Sequence, residues 1–435
     1  MVIKQTVLLF LLSSSALAHG INGHIHVTAW AAAQVEGDVA ELLADPEVYE
    51  AYLFGAAFPD SGYAIDDAYS ELVHWEPFVE AFIRHVRMTT APPYIGIEDR
   101  KKVAFLLGVG AHGLQDEIFD TLFLPQVEAR DDAGQEETDP GTDAFLYTDG
   151  HLEHTPGVYA PLDDVITVLE SEYGHTVEPG TMSGGMNRVK AFVIDSLPAF
   201  AGDLDDMLRP EMPWGSRHYM DETVPGSLAS EVPATAAYVE ALWRRLNGDL
   251  PVSARIVHRY PGRDRTNAED ALIPADSWIT LVFGVGVRVG SLRQDTVRLL
   301  DPERAPIPCE VGYQRWGSQE DSTTRIVVLR PGQRVRNLAA YTVEIGAGVE
   351  IVDGERVDAP WDYPITEAPP TLEAGQADNA DQGQINAEAT NQGGCALVAG
   401  ATGSSGRSQA ALVFIALCMC RSRRRASQGS LEAEK

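Results

Sequence analysis

The spacing of apolar residues changes once along this chain, near residue 250, and this change limits the possible folds more than any other feature. Before it, apolar residues recur every three or four positions in segments such as "FVEAFIRHV", "LDDVITVLESEYG" and "ATAAYVEALWRRL", which is the period of amphipathic helices. After it, short runs such as "TTRIVVLRP" and "AAYTVEIGAGVEIV" stand between Pro, Gly and Asp residues, which is typical of strands. The sequence therefore predicts an all-α region over 19–248 and an all-β sandwich over 251–366.

The first 18 residues have the three parts of a secretory signal. Lys4 supplies the basic start, Val7–Leu12 is apolar, and Ala16-Leu17-Ala18 is a small-x-small cleavage site. The apolar stretch is too short to span a bilayer. We therefore expect a secreted protein whose mature chain begins at His19.

The end of the chain differs in composition from both folded regions. Residues 367–394 are acidic and rich in Ala, Gln, Asn and Gly, which predicts a disordered linker. Residues 395–435 resemble the MYXO-CTERM type of sorting tag, with Cys395 after glycine, an apolar run and the Arg cluster 421–425. The resemblance implies a sorting protease as partner and attachment at, or release from, the outer cell surface. The alternative is a weak C-terminal anchor that is not processed.

Charge and cysteine content exclude several kinds of site. The net charge of −31 removes the electrostatic attraction that normally supplies nucleic-acid affinity, so we expect no extended nucleic-acid binding. The first cysteine is Cys309, so thiolate metal sites and disulfides are excluded from the helical region. A metal ion there must be held by His, Asp and Glu.

Several such residues stand beside apolar runs of the helical region. His112 and Asp116 are four residues apart, so they share one face of a helix. Asp60 follows a proline at a predicted helix end, and His74 opens another helix. Imidazole and carboxylate together favour zinc. The full set is His24, Asp60, His74, His112, Asp116 and Asp120, whereas His26, His85 and His218 are interpreted as packed or surface histidines.

The order of these motifs resembles the zinc-dependent phospholipase C and single-strand nuclease superfamily. "HGINGH", "FGAAFPDSGY", "HWEPFVEAFIRHVR", "KKVAFLLGVGAHGLQDE" and "APLDDVITVLESEYGHTV" are most similar to the catalytic domain of glycosylphosphatidylinositol-specific phospholipase D, over about 19–245. The later module, which closes on "YTVEIGAGVEIVDGE", resembles bacterial immunoglobulin-like domains.

The superfamily resemblance implies two zinc sites that share one ligand. Asp60, His74, His112 and Asp116 hold the first ion. The second is held by the backbone of His19, by His24 and by Asp116, which bridges the two. Asp60 is also implied as the base that orients or deprotonates the attacking water.

The third metal site of the superfamily is altered here. Its histidines are replaced, leaving Asp120, Asp139 and Asp143, an all-oxygen set suited to a harder cation such as Ca²⁺, Mg²⁺ or Mn²⁺. Alternatively, the site is empty, or His151, Glu153 and His154 complete it. These three residues belong to the acidic segment 127–159, whose composition predicts one long loop at the metal site.

The resemblance implies a secreted, metal-dependent phosphodiesterase that hydrolyses the head-group phosphodiester of a phospholipid or glycolipid. Two alternatives stand beside it. One is a metal-binding surface protein of the same fold with impaired catalysis, which the altered third site favours. The other is a nuclease of the superfamily, which the acidic composition disfavours.

Overall fold

The structure is a computed structural model that describes residues 20–248, 255–260, 279–313, 322–332, 335, 340–357 and 360–365. The predicted signal peptide, His19, the linker 367–394 and the tag 395–435 lie outside these ranges. The helices are α1 Ile21–Ala32, α2 Gly37–Leu43, α3 Pro46–Gly55, α4 Tyr69–Val73, α5 Glu76–Thr89, α6 Ile97–Ile118, α7 Leu124–Asp131, α8 Gln135–Thr148, α9 Leu162–Tyr173, α10 Pro179–Val189, α11 Ala201–Leu208, α12 Gly215–His218 and α13 Leu228–Asn247.

The helical region is built around α6. This helix is buried at every position from Val103 to Ile118, and α1, α3, α5 and α13 pack against it. A helix that is apolar on most of its circumference is stable only when neighbours surround it. The polar side chains that α6 carries in this buried part are therefore held among other elements and away from solvent.

The β region contains two four-stranded antiparallel sheets, with strand orders β1-β2-β6-β5 and β4-β3-β7-β8. Buried side chains from both sheets form one core. The strands are β1 Ile256–Tyr260, β2 Ile279–Arg288, β3 Val297–Leu300, β4 Pro306–Ile307, β5 Cys309–Gly312, β6 Thr323–Pro331, β7 Thr342–Ile345 and β8 Trp361–Pro364.

The first of these sheets lies between the helices and the second sheet. Val282, Ile326 and Val328 belong to the core of the helical region, while Leu281 and Val327 belong to the core of the sandwich. This explains why β2 is apolar on both faces, since a sheet covered on both sides reads as a continuous hydrophobic run. Helices and sheets belong to one compact unit.

One part of the first sheet is irregular. The pairing of β2 with β6 shifts between Val282↔Ile326 and Val287↔Thr324, so four residues of β2 stand opposite Arg325 alone. Such bulges bend a strand and redirect a side chain. Arg325 is directed into the helical region, where it contacts Gly110 and Glu117 of α6.

The segment 127–159, expected as one loop, is mostly helical. Glu137 caps α8 because its Oε2 accepts the backbone N–H of Gly134 at 3.0 Å, and acidic residues favour the start of a helix. The interior of α8 is held by packing against α11, although it contains Pro140. The residues outside helices are reduced to the short break 132–134 and the stretch 149–161.

The predicted order, a helical region followed by a β region of antiparallel sheets, is confirmed. No helix in the described ranges combines the length and apolarity that crossing a membrane requires.

Candidate metal centre

Five of the predicted ligands come together inside the helical region. His24 lies on α1, Asp60 on the short turn Pro59–Ser61, His74 at the end of α4, and His112 and Asp116 on α6. Their side chains form two overlapping groups, His24/Asp60/His112 and His74/His112/Asp116, whose ligand atoms all lie within 4.8 Å of one another in each group. Each of these five residues is at most 2% exposed. These buried His/Asp groups can hold a metal ion.

Asp116 is at the centre of the cluster. Its Oδ1 lies 3.0 Å from His24 Nε2, whereas its Oδ2 lies 3.3 Å from His112 Nε2 and 3.8 Å from His74 Nε2. Asp60 Oδ1 is 3.2 Å from His74 Nε2. The two oxygens of Asp116 therefore face different histidines, as a bridging carboxylate requires.

Each histidine ring presents Nε2 to the cluster and uses Nδ1 elsewhere. His112 Nδ1 donates to the backbone oxygen of Ala56 at 2.7 Å, and His74 Nδ1 donates to that of Ser70. A backbone oxygen only accepts, so Nδ1 carries the proton and the neutral ring has its Nε2 lone pair free for a cation. A second hydrogen bond of this kind is the usual support of a metal-binding histidine.

The third ring is supported by a side chain. His24 Nδ1 lies 2.9 Å from Gln115 Oε1, and Gln115 Nε2 donates to Thr28 Oγ1 at 2.9 Å. The bond to Thr28 orients the amide so that its oxygen faces the ring. Gln115 and Thr28 were missed by the sequence reasoning, although a glutamine inside the apolar run "AHGLQDE" was a detectable signal.

The charges within the cluster favour the binding of a cation. Burial raises the pKa of Asp116, but His112 and His24 outweigh burial and hold the pKa well below its usual value. Burial lowers the pKa of His24 and His74, but Asp116 and Asp60 outweigh it and raise the pKa of both rings. Burial and the charge of His24 lower the pKa of His112. A metal ion must therefore displace protons to bind.

The three aspartates of the predicted third site, Asp120, Asp139 and Asp143, lie in two kinds of environment. Asp143 accepts hydrogen bonds from Asn22 N at 3.2 Å, from Asn22 Nδ2 at 2.7 Å and from Gly23 N at 2.9 Å. It therefore holds the first turn of α1, where backbone N–H groups have no partner within the helix. Burial raises its pKa to about 6 despite these bonds.

Asp120 and Asp139 are not satisfied in this way. Both are buried, and among the described residues the Oδ1 atom of each has no hydrogen-bond partner. Burial and neighbouring carboxylates raise the pKa of both well above the usual value. Buried carboxyls without a partner are costly, and a bound cation would relieve this cost.

The start of α1 is packed tightly against this acidic set. A Cβ atom on Gly20 would lie 2.2 Å from Asp143 Cγ and 2.7 Å from the Asp139 backbone oxygen, so a larger residue cannot be accommodated without displacement. The acidic segment thus does reach the cluster region, through α8 and not through a loop.

The remaining histidines lie elsewhere. The rings of His26 and His151 have centroids 6.5 Å apart, and His154 packs against Tyr49. His26 is two residues from His24 and so points to the other side of α1. The described metal-ligand groups include neither His151 nor His154. His85 and His218 pair with Asp164 and Asp221 near the surface.

Comparison with protein-family models, with curated proteins and with solved structures finds no match to this chain. The function is therefore proposed from the geometry of this cluster and from the sequence motifs.

Proposed function

We propose that the chain is a secreted, zinc-dependent phosphodiesterase acting on the head groups of phospholipids or glycolipids. One observation carries the proposal: three buried imidazoles aim Nε2 at a carboxylate whose two oxygens face different rings. The order of the sequence motifs supplies the reaction class. In this proposal the helical region has the phospholipase C type of fold, and the paired sheets form an immunoglobulin-like sandwich.

In this proposal the donor set holds two zinc ions. His74, His112, Asp60 and Asp116 would hold one, and His24 and Asp116 would hold the other together with the backbone of His19, which lies outside the described residues. Imidazole nitrogen and carboxylate oxygen are ligands that zinc accepts. Among the described residues, Asp60 and Asp116 form ion pairs with histidines and with no lysine or arginine, so a bound cation would compete only with protons on these rings.

Zinc, when bound, lowers the pKa of a water molecule toward neutrality and offsets negative charge on a phosphoryl oxygen. The chain supplies the positioning and the proton acceptor. Asp60 directs Oδ1 at His74, while no described residue bonds its buried Oδ2. That oxygen is available to accept a proton from an attacking water, which is the role of a general base. The hydrogen bonds of the three Nδ1 atoms keep the rings from turning.

A metal-binding surface protein with impaired catalysis is the second candidate. It is favoured by the third set of aspartates, in which Asp143 already accepts hydrogen bonds from Asn22 and Gly23. If the third ion is absent, less charge is available to stabilise the phosphate, and the rate should fall more than substrate binding.

The test uses the full mature chain. Elemental analysis should find two zinc ions per chain, and the protein should cleave bis(p-nitrophenyl) phosphate and phosphatidylcholine vesicles. Asp116→Asn should abolish both zinc binding and cleavage. His85→Gln, which changes a histidine paired with Asp164 outside the cluster, should alter neither.

The outcomes separate the candidates. Bound zinc with no turnover of any phosphodiester would establish the second candidate. Cleavage of single-stranded DNA in preference to lipid would indicate the nuclease, and a zinc-free protein with unchanged cleavage would overturn the proposal.

A further inference from the structure

The largest fully buried side chain among the described residues is a charged one, Arg325 of the β region. Its backbone N–H donates to Glu117 Oε2 at 2.7 Å, and its Nε and Nη2 lie 3.3 and 3.1 Å from Glu117 Oε1. Its Nη1 donates to the backbone oxygen of Gly110 at 3.3 Å. One residue of β6 thus makes four hydrogen bonds to the helix that carries His112 and Asp116.

Arg325 also reaches the segment that carries His74, the other histidine of the first site. Its Nη1 lies 3.5 Å from Oε2 of Glu76, two residues after His74. Glu76 is itself buried and bonded to Arg245 and Tyr238. The guanidinium therefore lies between the two ligand-bearing segments.

The contact between these segments leaves no free space. A Cβ atom on Gly113 would lie 2.0 Å from the backbone oxygen of His74 and 2.8 Å from Arg325 Nη2. Glu117 follows Asp116 directly on α6, about 100° further around the helix axis. Fixing Glu117 therefore fixes the rotation of α6 and with it the direction in which Asp116 points.

The sheet is shaped to make this contact. Arg325 lies at the bulge between β2 and β6, where its N–H leaves the strand ladder and bonds a carboxylate of another region. Neighbouring β6 residues Val327 and Leu329 face the sandwich core, and without the bulge the alternation of a strand would direct Arg325 to the same side.

We propose that Arg325 is a positioning residue of the metal centre, and that the β region is therefore part of the scaffold that holds the zinc ligands. This inference rests on the metal centre that the proposed function requires. It goes beyond that function because it assigns the sheets a role in metal affinity. Loss of a residue that orients metal ligands typically changes metal affinity by about 10- to 100-fold.

The test measures the zinc dissociation constant of the full chain by competition with a chromophoric chelator. We expect Arg325→Met to weaken zinc binding about tenfold or more. Arg325→Lys should recover part of the affinity because it keeps the positive charge. The recovery should be incomplete because a lysine cannot hydrogen-bond Glu117 and Gly110 at the same time. Cobalt substitution adds a second readout, since a moved ligand changes the visible spectrum of the bound ion.

Two matched controls separate positioning from stability. Arg330→Met makes the same change on the same strand, where the arginine pairs with Glu310 near the surface. Ile326→Ala removes apolar contact between β6 and the helices and so lowers the stability of the protein. Both should keep the zinc affinity of the wild type.

The result that overturns the inference is a folded Arg325→Met protein with wild-type zinc affinity and an unchanged cobalt spectrum. If that variant does not fold, the pair Glu117→Gln with Arg325→Met carries the same test, because it removes the bridge without leaving a buried charge unpaired. If the wild type binds no zinc, the proposed function fails instead, and the inference fails with it.

Discussion

The hydrogen-bond relay from Thr28 through Gln115 to His24 gives the sharpest test of how the cluster is built. Replacing Gln115 with leucine keeps the size of the side chain and removes both polar groups. His24 Nδ1 then loses this acceptor, and its ring is held less firmly in its orientation toward Asp116. His74 and His112 keep their backbone acceptors, so the variant should affect one side of the cluster only.

The magnitude follows from the two bonds, each 2.9 Å long and fully buried. A buried group left without its partner costs about 1–3 kcal/mol, so two such groups lower the free energy of unfolding by about 2–6 kcal/mol. Loss of the hydrogen bond that orients His24 weakens metal binding by about 10- to 100-fold, or about 1.4–2.8 kcal/mol.

The assay is a zinc titration of wild-type and Gln115→Leu proteins against a chelator, with elemental analysis at a fixed free zinc concentration. We expect two tight sites in the wild type, and one tight and one weakened site in the variant. Gln126→Leu is the matched control, because the Gln126 side chain also makes two hydrogen bonds, which it donates to the backbone oxygens of Leu122 and Pro225 outside the cluster. Two unchanged sites in Gln115→Leu would refute the relay.

Three further outcomes are expected. Asp116→Ala should lose both zinc ions and His74→Ala only one, as counted by elemental analysis; equal losses would remove the bridging role. One residue added before His19 should cost one zinc ion, because an extended amine no longer offers its lone pair in place, whereas His19→Trp should be tolerated; full zinc content in the extended chain would contradict this. Burial and neighbouring histidines lower the pKa of His26 to about 3 in the folded protein, against about 6.5 in the unfolded chain. As the pH falls below 6.5 the ring takes up a proton only in the unfolded chain, so the folded protein loses stability. Between pH 7 and 5 the unfolding free energy should drop by about 2 kcal/mol less in His26→Gln than in wild type, measured by denaturant unfolding; equal drops would contradict the assignment.

The sequence was informative about element type where periodicity was strong. The apolar periods of 19–248 and the short runs after 250 predicted helices and strands in the correct order. The prediction of one long loop over 127–159 was wrong. It was based on the content of Asp, Gly, Pro and Thr, which favour loops, and not on the spacing of these residues. Asp139 and Asp143 are instead spaced four apart on the buried face of α8, and Glu137 caps it.

The candidate ligands could be chosen by residue type, but their convergence could not be derived. His112 and Asp116 share a face through local spacing alone. His24 reaches them only because α1 packs on α6, and Asp60 because α3, which precedes the turn Pro59–Ser61, packs on α6. Such packing has no local signature. Arg325 was missed for the same reason, although an arginine inside the apolar run "TTRIVVLRP" was unusual.

The ion pair between Glu117 and Arg325 has a consequence for the order of events during synthesis. The two residues are 208 positions apart, and a ribosome adds roughly 5–20 residues per second. The helix that carries His112 and Asp116 is therefore synthesised roughly 10–40 seconds before Arg325, the partner of its buried Glu117. A product that stops before residue 325 lacks this partner. The contact between α6 and the first sheet can accordingly form only after most of the β region has been made.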